Sequence, residues 1–481
     1  MTYALICRRQ PDWINLLRFL TFLSVFASAV LVFPAAEAQE TAETARPWTL
    51  QDALGLPESV RIEGSVRPRY EVLGNPFVAG RSEDDEFLGL QTQLRAELDF
   101  APALTIGGEL LDSRFIAGNE TGGAVSEIDT LEPAQLYLSW CPRDVLAEGA
   151  KLNLTAGRFT MDIGSRRLVA RANFRSILSS FDGVRAIWTS PDRLIVSLAY
   201  TAPVSRAPAD AASALDNEVA LNHTSDDTRF AVAHFEAPLP FAIKGEAYLL
   251  DLEEEDAAEA ATRDRDLSTI GIRLHRQAAK GQFDFDVEYA RQSGSVHATT
   301  SPLDVTPLEH EAEMAHVEAG FSFDAPWSPR LALQYDSSSG DRSPTDGESQ
   351  RFDPLFGDRS FEFGPTGIFG FISRTNLSSP GIRLEVRPDA DSDSYLMVRD
   401  VRIDSPADSL ANSSVRDPSG LSGDHAGLQI EGRYRRWLVK DALRLSVGAA
   451  TVLAGDFLED APNATRQGYP VYGYTELTWT F

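Results

Sequence analysis

Cysteine is nearly missing: the 481 residues contain two, Cys7 and Cys141. Cys7 lies in a leader-like start, so only Cys141 remains and an internal disulfide framework is excluded. Beyond residue 38 no run of 18 apolar residues occurs, which excludes a transmembrane helix. Cations are outnumbered, 44 Lys+Arg against 71 Asp+Glu, giving a formal charge of −27. That balance disfavours a nucleic-acid partner, whose phosphates need cations. Catalytic and metal signatures are missing as well. His310-Glu311 followed by His316 breaks the HExxH spacing, and neither a G-x-S-x-G elbow nor a phosphate loop occurs. Asp389, Asp391 and Asp393 are spaced as in a calcium loop, but Ser394 stands where its sharp turn needs Gly. No catalytic residue, metal or cofactor is assigned, and the chain is not expected to be an enzyme.

What is present begins with an export signal. Arg8, Arg9 and Arg18 precede or open the apolar run Phe19 to Phe33, and Ala36-Glu37-Ala38 supplies small residues for cleavage. Residues 1–38 are therefore read as a signal peptide and 39–58 as a short N-terminal lead. No Cys follows the cleavage point, so no lipid anchor is expected there.

From residue 59 onward the dominant pattern has period two. In 59–70, Val60, Ile62, Gly64, Val66, Pro68 and Tyr70 alternate with Arg61, Glu63, Ser65, Arg67 and Arg69. In 88–100, Leu88, Leu90, Leu94, Leu98 and Phe100 alternate with Gln91, Gln93, Arg95, Glu97 and Asp99. Successive side chains of a strand point to opposite faces, so each segment has one apolar and one polar face. Eighteen such segments are counted, starting near residues 59, 87, 103, 133, 151, 182, 193, 228, 241, 268, 282, 313, 330, 381, 394, 425, 442 and 470; sixteen is the alternative count. Short turns such as Ala101-Pro102 and Ser190-Pro191-Asp192 alternate with long loops such as 71–86, 160–180, 202–227, 338–380 and 405–424. The expected fold is all-β: residues 59–481 form a single transmembrane antiparallel β-barrel with short periplasmic turns and long extracellular loops. An even strand number places both termini in the periplasm of a Gram-negative cell. Apolar residues alternate up to the C-terminal Phe481, the pattern of a barrel-assembly recognition signal.

One segment stands apart in charge. Residues 157–185, GRFTMDIGSRRLVARANFRSILSSFDGVR, hold six arginines (Arg158, Arg166, Arg167, Arg171, Arg175 and Arg185) against Asp162 and Asp182. A basic, partly apolar loop in an acidic chain is best explained by folding inward, where guanidinium groups would face a channel and select anions. Their planar forks match carboxylates bidentately. The bland alternative is that the same arginines pair with acids of the barrel wall or of lipopolysaccharide. Arg61, Arg67, Arg69, Arg95, Arg383, Arg387, Arg433 and Arg435, with Glu97, Glu109, Glu288 and Glu385, fall on the polar face; cross-strand pairing is the expectation for them.

This segment resembles the signature of the alginate-export outer-membrane porin family. FDPLFG (Phe352 to Gly357), GPTGIFGFISRTNLSSPGIRLEVRP (Gly364 to Pro388) and the C-terminal GDFLEDAPNATRQGYPVYGYTELTWTF are similar to that family too. The resemblance implies an eighteen-stranded monomeric barrel with an arginine-lined constriction that passes an anionic polysaccharide such as a uronate polymer. The residues carrying it here are Arg158, Arg166, Arg167, Arg171, Arg175, Asp182 and Arg185. A porin taking up small anions or sugars is the alternative; a barrel enzyme or adhesin is a third. Expected partners are outer-membrane lipid, lipopolysaccharide and the barrel-assembly machinery.

Overall fold

The alternating segments become eighteen long strands in the computed structural model, which describes residues 48–481 apart from 82, 120–123, 256–260 and 466–467. The expected signal peptide and the start of the lead lie outside the described residues. The strands are β1 Val60–Gly74, β2 Asp85–Ala101, β3 Leu104–Gly118, β4 Asp129–Trp140, β5 Lys151–Thr160 and β6 Ser180–Thr189. They continue as β7 Ile195–Ser205, β8 Thr228–Leu239, β9 Ile243–Glu254, β10 Asp266–Arg276, β11 Phe283–Val296 and β12 Leu308–Ser322. The last six are β13 Arg330–Ser338, β14 Leu377–Asp389, β15 Ser392–Arg402, β16 His425–Val439, β17 Leu443–Ala454 and β18 Val471–Thr480. Two-residue ladders at His223–Thr224 and Glu348–Ser349 sit within loops.

Each strand pairs antiparallel with its successor, and β18 returns to β1 from Gly74↔Val471 to Ser65↔Thr480. Gly64 and Phe481 complete the seam by exchanging backbone hydrogen bonds of 2.8 and 2.9 Å. Closure leaves no sheet edge, so every wall strand finds its partners within the barrel. Short turns gather at one end and long loops at the other, and both described chain ends emerge at the turn end.

Below the middle of the barrel the faces follow the alternation. Leu94, Leu98, Ile270, Ile272, Leu331 and Leu333 point outward and are exposed, while Arg67, Arg69, Glu109 and Glu288 point inward and are buried. Toward the loop end the pattern inverts. Phe159, Phe181, Phe230, Val232, Leu250 and Leu252 point inward and are buried, while Asp251 and Glu253 point outward. The inversion follows from what fills the lumen. Loop 161–179 brings Leu168 and Val169 against these residues, and loop 339–376 adds Phe352. A second apolar cluster joins Phe363, Ile368, Phe369 and Phe371 to Phe77, Leu410, Val415, Phe457 and Tyr472. The Phe-rich loop therefore packs inside the barrel, with the other loops closing over it.

The lead begins with a short helix, α1 Leu50–Leu54, capped by the Thr49 side chain. Its Gln51 amide donates to the Val60 carbonyl (2.8 Å) and accepts from the Ile62 N–H (3.0 Å), serving the part of β1 that lies below the seam. Trp48 lies against the outward rings of Trp479 (6.3 Å) and Phe481 (5.8 Å between centroids).

Candidate functional site

The arginine-bearing loop is built from β5 and β6 and held by the wall. Gly157, at φ +119°, faces Gly183 across β5 and β6, and a Cβ at Gly157 would stand 2.4 Å from the Leu136 carbonyl oxygen. Only glycine allows that approach. Beyond Thr160 the chain turns into the lumen. There Arg67 donates to the carbonyls of Asn173 (3.0 Å) and Arg175 (2.9 Å), Arg69 donates to that of Phe174, and Gln91 to that of Ser176. Glu127 accepts from the Ser176 N–H at 2.7 Å. Backbone groups taken from water are thus satisfied by side chains of the wall and by Glu127 of the loop before β4, as burial requires.

The six arginines and Asp182 separate into three settings. Arg158 and Asp182 form a bidentate pair at 2.8 and 2.9 Å, and Arg158 also reaches Glu132. They stand opposite one another in register, on the row of the exposed Leu136 and Val184, while Phe159 and Phe181 point inward. The structure therefore puts this pair on the outward row, where loop 206–227 covers it through Asn222 and Thr224, and not in the lumen.

Arg167 and Arg171 belong to the second setting, inside the lumen and fully paired. Arg167 is 2% exposed and donates to Glu362 (2.9 Å from Nε), Glu288 (2.5 Å) and Asp286 (3.0 Å). Arg171 grips both oxygens of Glu109 and donates to the Thr160 hydroxyl. For these two, the bland reading of wall pairing describes the geometry.

The third setting holds charge that is less compensated. Arg175 lies 3.7 Å from Glu127, with its side chain 34% exposed, and its Nε has no hydrogen-bond partner among the described residues. The Arg166 guanidinium sits 4.7 Å over the Phe361 ring. Arg185 lies over Phe159 and lines a cavity of about 940 Å³ at the turn end, together with Asp99, Arg143, Lys151 and Cys141.

Sequence reasoning missed the second inward loop's contribution. Arg359 is half-buried beside Arg175 and Arg374, and no hydrogen bond from its guanidinium occurs among the described residues. Burial, and then the like charge of Arg175, press its pKa below the ordinary arginine value. Glu362, on helix α2 Ser360–Phe363, is held the other way: burial opposes its charge, but Arg167 and Arg374 outweigh it and keep the carboxyl well below the usual range. The one signal that could have found Arg359 and Glu362 is their position just after the FDPLFG motif.

Among the described residues one triple, His316, Asp336 and Glu362, has the geometry to hold a metal ion. Arg167, Arg374 and Arg399 already donate to its carboxylates, so the cluster's negative charge is spent. The donor set fits an ion-pair network better than a cation site.

A closed eighteen-stranded barrel with folded-in loops is the architecture of an outer-membrane porin or channel. It resembles OccK5 (OpdH) of Pseudomonas aeruginosa, with a TM-score of 0.55 at 12% identity over 88% of this chain and 98% of that one. A BenF-like porin from Pseudomonas fluorescens Pf-5 gives 0.56 at 11% identity, covering 88% and 99% of the two chains. OccK2 (OpdF) of Pseudomonas aeruginosa, solved in complex with glucuronate, gives 0.54 at 13% identity, covering 88% and 96%. No curated protein matches the sequence. The chain belongs to the alginate export family, whose model matches residues 59–471. Family and fold are those of channel proteins, not of enzymes.

Proposed function

We propose that this protein is a passive channel for an anionic solute, first of all a uronate-rich polysaccharide, with its constriction where the two inward loops meet. The observation that carries the reading is the incomplete pairing of Arg175 and Arg359, beside the stacked Arg166. Arg67, Arg69, Arg167 and Arg171, by contrast, are each bonded to wall or loop acceptors. A guanidinium with spare donors in a confined lumen lowers the entry cost of a carboxylate. A second station lies nearer the turn end. Arg433 and Arg435 share Asp393, and Arg444 stands beside them over Trp437. The long loops face the outside of a Gram-negative cell and both termini face the periplasm, with lipopolysaccharide around the rim and the assembly machinery as the reader of Phe481. The barrel acts as a monomer.

Uptake of a small organic anion is the second reading. It is favoured by the apolar packing of Phe369, Phe371 and Tyr472, which fills the loop end more tightly than a polymer in transit requires. Ion selectivity in planar bilayers tests the proposal. Wild type should prefer anions, and Arg175→Ala with Arg359→Ala should abolish most of that preference. Block by oligouronates but not by the monomer supports polymer passage. Cation preference unaffected by the two changes would refute the anion path.

A further inference from the structure

We propose that Glu362 is a latch, holding the two inward loops to each other and to the wall so that the channel opens only when this contact is released. The inference rests on the channel reading above and concerns its regulation.

The two loops touch along a short backbone seam. Phe356 N–H donates to the Leu168 carbonyl, Ala170 N–H to that of Phe356, and Asp358 N–H to that of Arg166, each at 3.0 Å. Val169 and Phe356 form a parallel bridge. Gly357 approaches so closely that a Cβ would stand 1.8 Å from the Arg167 carbonyl oxygen. Beside this seam, Glu362 is the side chain on which three parts of the molecule converge. One oxygen accepts from Arg167 of the first loop, the other from Arg374 of its own loop, and His316 Nε2 of β12 lies 3.8 Å away. His316 is tied in turn to Asp336 of β13 at 2.7 Å, which Arg399 of β15 also holds.

The network is asymmetric, and that asymmetry makes Glu362 the moving part. Without its charge, Arg167 still has Glu288 and Asp286, so the first loop stays on the wall. Residues 353–363 lose their ionic tie to both the first loop and β12. The far part of the same loop stays anchored elsewhere, where Glu71 accepts from the Ile368 N–H at 2.9 Å and Gln429 donates to the Phe363 carbonyl at 3.1 Å. The stretch carrying Arg359 and Phe361 then keeps only neutral acceptors, the Asp358 carbonyl for Arg374 at 2.8 Å and the Phe361 carbonyl for Arg383 at 3.3 Å, beside the backbone seam, and its displacement from this weakened base widens the junction.

The test is single-channel recording of the full mature chain carrying Glu362→Gln. Open-state occupancy should rise about tenfold or more, the shift expected when charge-assisted hydrogen bonds are weakened, while the heat-modifiable gel mobility of the folded barrel stays unchanged. Adding Val169→Cys and Phe356→Cys, in a Cys141→Ser background, should return occupancy to the wild-type level on oxidation and release it on reduction. A folded Glu362→Gln channel with wild-type occupancy overturns the latch, as does an oxidised pair that fails to close it. If Glu362→Gln does not fold, Glu362→Asp replaces it, and unchanged occupancy there overturns the latch equally. A wild-type pore without anion preference that still opens on Glu362→Gln would refute the solute assignment and leave the latch standing.

Discussion

Replacing Arg167 by alanine removes one guanidinium that three carboxylates share. Glu362 retains Arg374, but Glu288, 2% exposed, is left with the Tyr248 hydroxyl at 2.8 Å and Arg273 at 3.9 Å. Breaking a buried ion pair from one side costs about 3–5 kcal/mol, because the remaining charge stays out of water without compensation. The expected loss is therefore about 3–5 kcal/mol. Urea unfolding of the vesicle-embedded protein, followed by heat-modifiable mobility, measures it. Arg167→Met, which keeps the stem's packing, should lose nearly as much, since charge and not volume is at issue. A loss below about 1 kcal/mol would mean that the lumen is wet enough to screen the pair like a surface salt bridge, and would refute the reasoning.

Two further expectations follow from the same geometry. The Glu362 carboxyl is depressed in the folded state, so its contribution is complete above the unfolded value of about 4.5 and is lost only as pH falls through its lower folded value. Open occupancy should stay flat from about pH 8 to about pH 5. A rise on mild acidification would mean that Glu362 takes up its proton well above that folded value, and would refute the latch's ionic basis, since protonating His316 beside Glu362 and Asp336 can only tighten it. Trp48→Ala should cost about 1 kcal/mol in the same urea transition, the worth of its ring contacts with Trp479 and Phe481. No change would show that the lead does not stay docked on the seam.

The barrel was legible in the sequence because period two repeats over long segments and the loops sort by length. Every expected segment has its strand, including the closing one, where Tyr472, Tyr474 and Glu476 point inward and Leu477 and Trp479 outward. Boundaries moved by a few residues, as at β12, which starts at Leu308 instead of near 313 along a regular ladder. β4 starts at Asp129 instead of near 133, because a bulge at Ala134 breaks the alternation there. Inward folding of the basic loop was also legible, from charge that would be out of place among acidic loops. The partners were not. Glu109, Glu288 and Glu362 lie 62, 121 and 195 residues from the arginines they hold, and no local pattern records such pairs. The lumen placement expected for Arg158 and Asp182 rested on the inward folding of the basic segment as a whole and on the family resemblance. Near the loop end the lumen is apolar, so Phe159 and Phe181 take the inside and their polar neighbours the outside.

The seam between β1 and β18 also sets an order of assembly. Arg69 and Glu476, 407 residues apart, meet across it in one ion pair. The strand that leaves the ribosome first must wait, with one edge unpaired, for the strand that leaves last. Until then the growing sheet presents two open edges to any neighbouring chain. The loops that fill the lumen also have no enclosed space to occupy until the wall has closed. Contacts of such length make closure slow, and they leave the decisive step to the last strand.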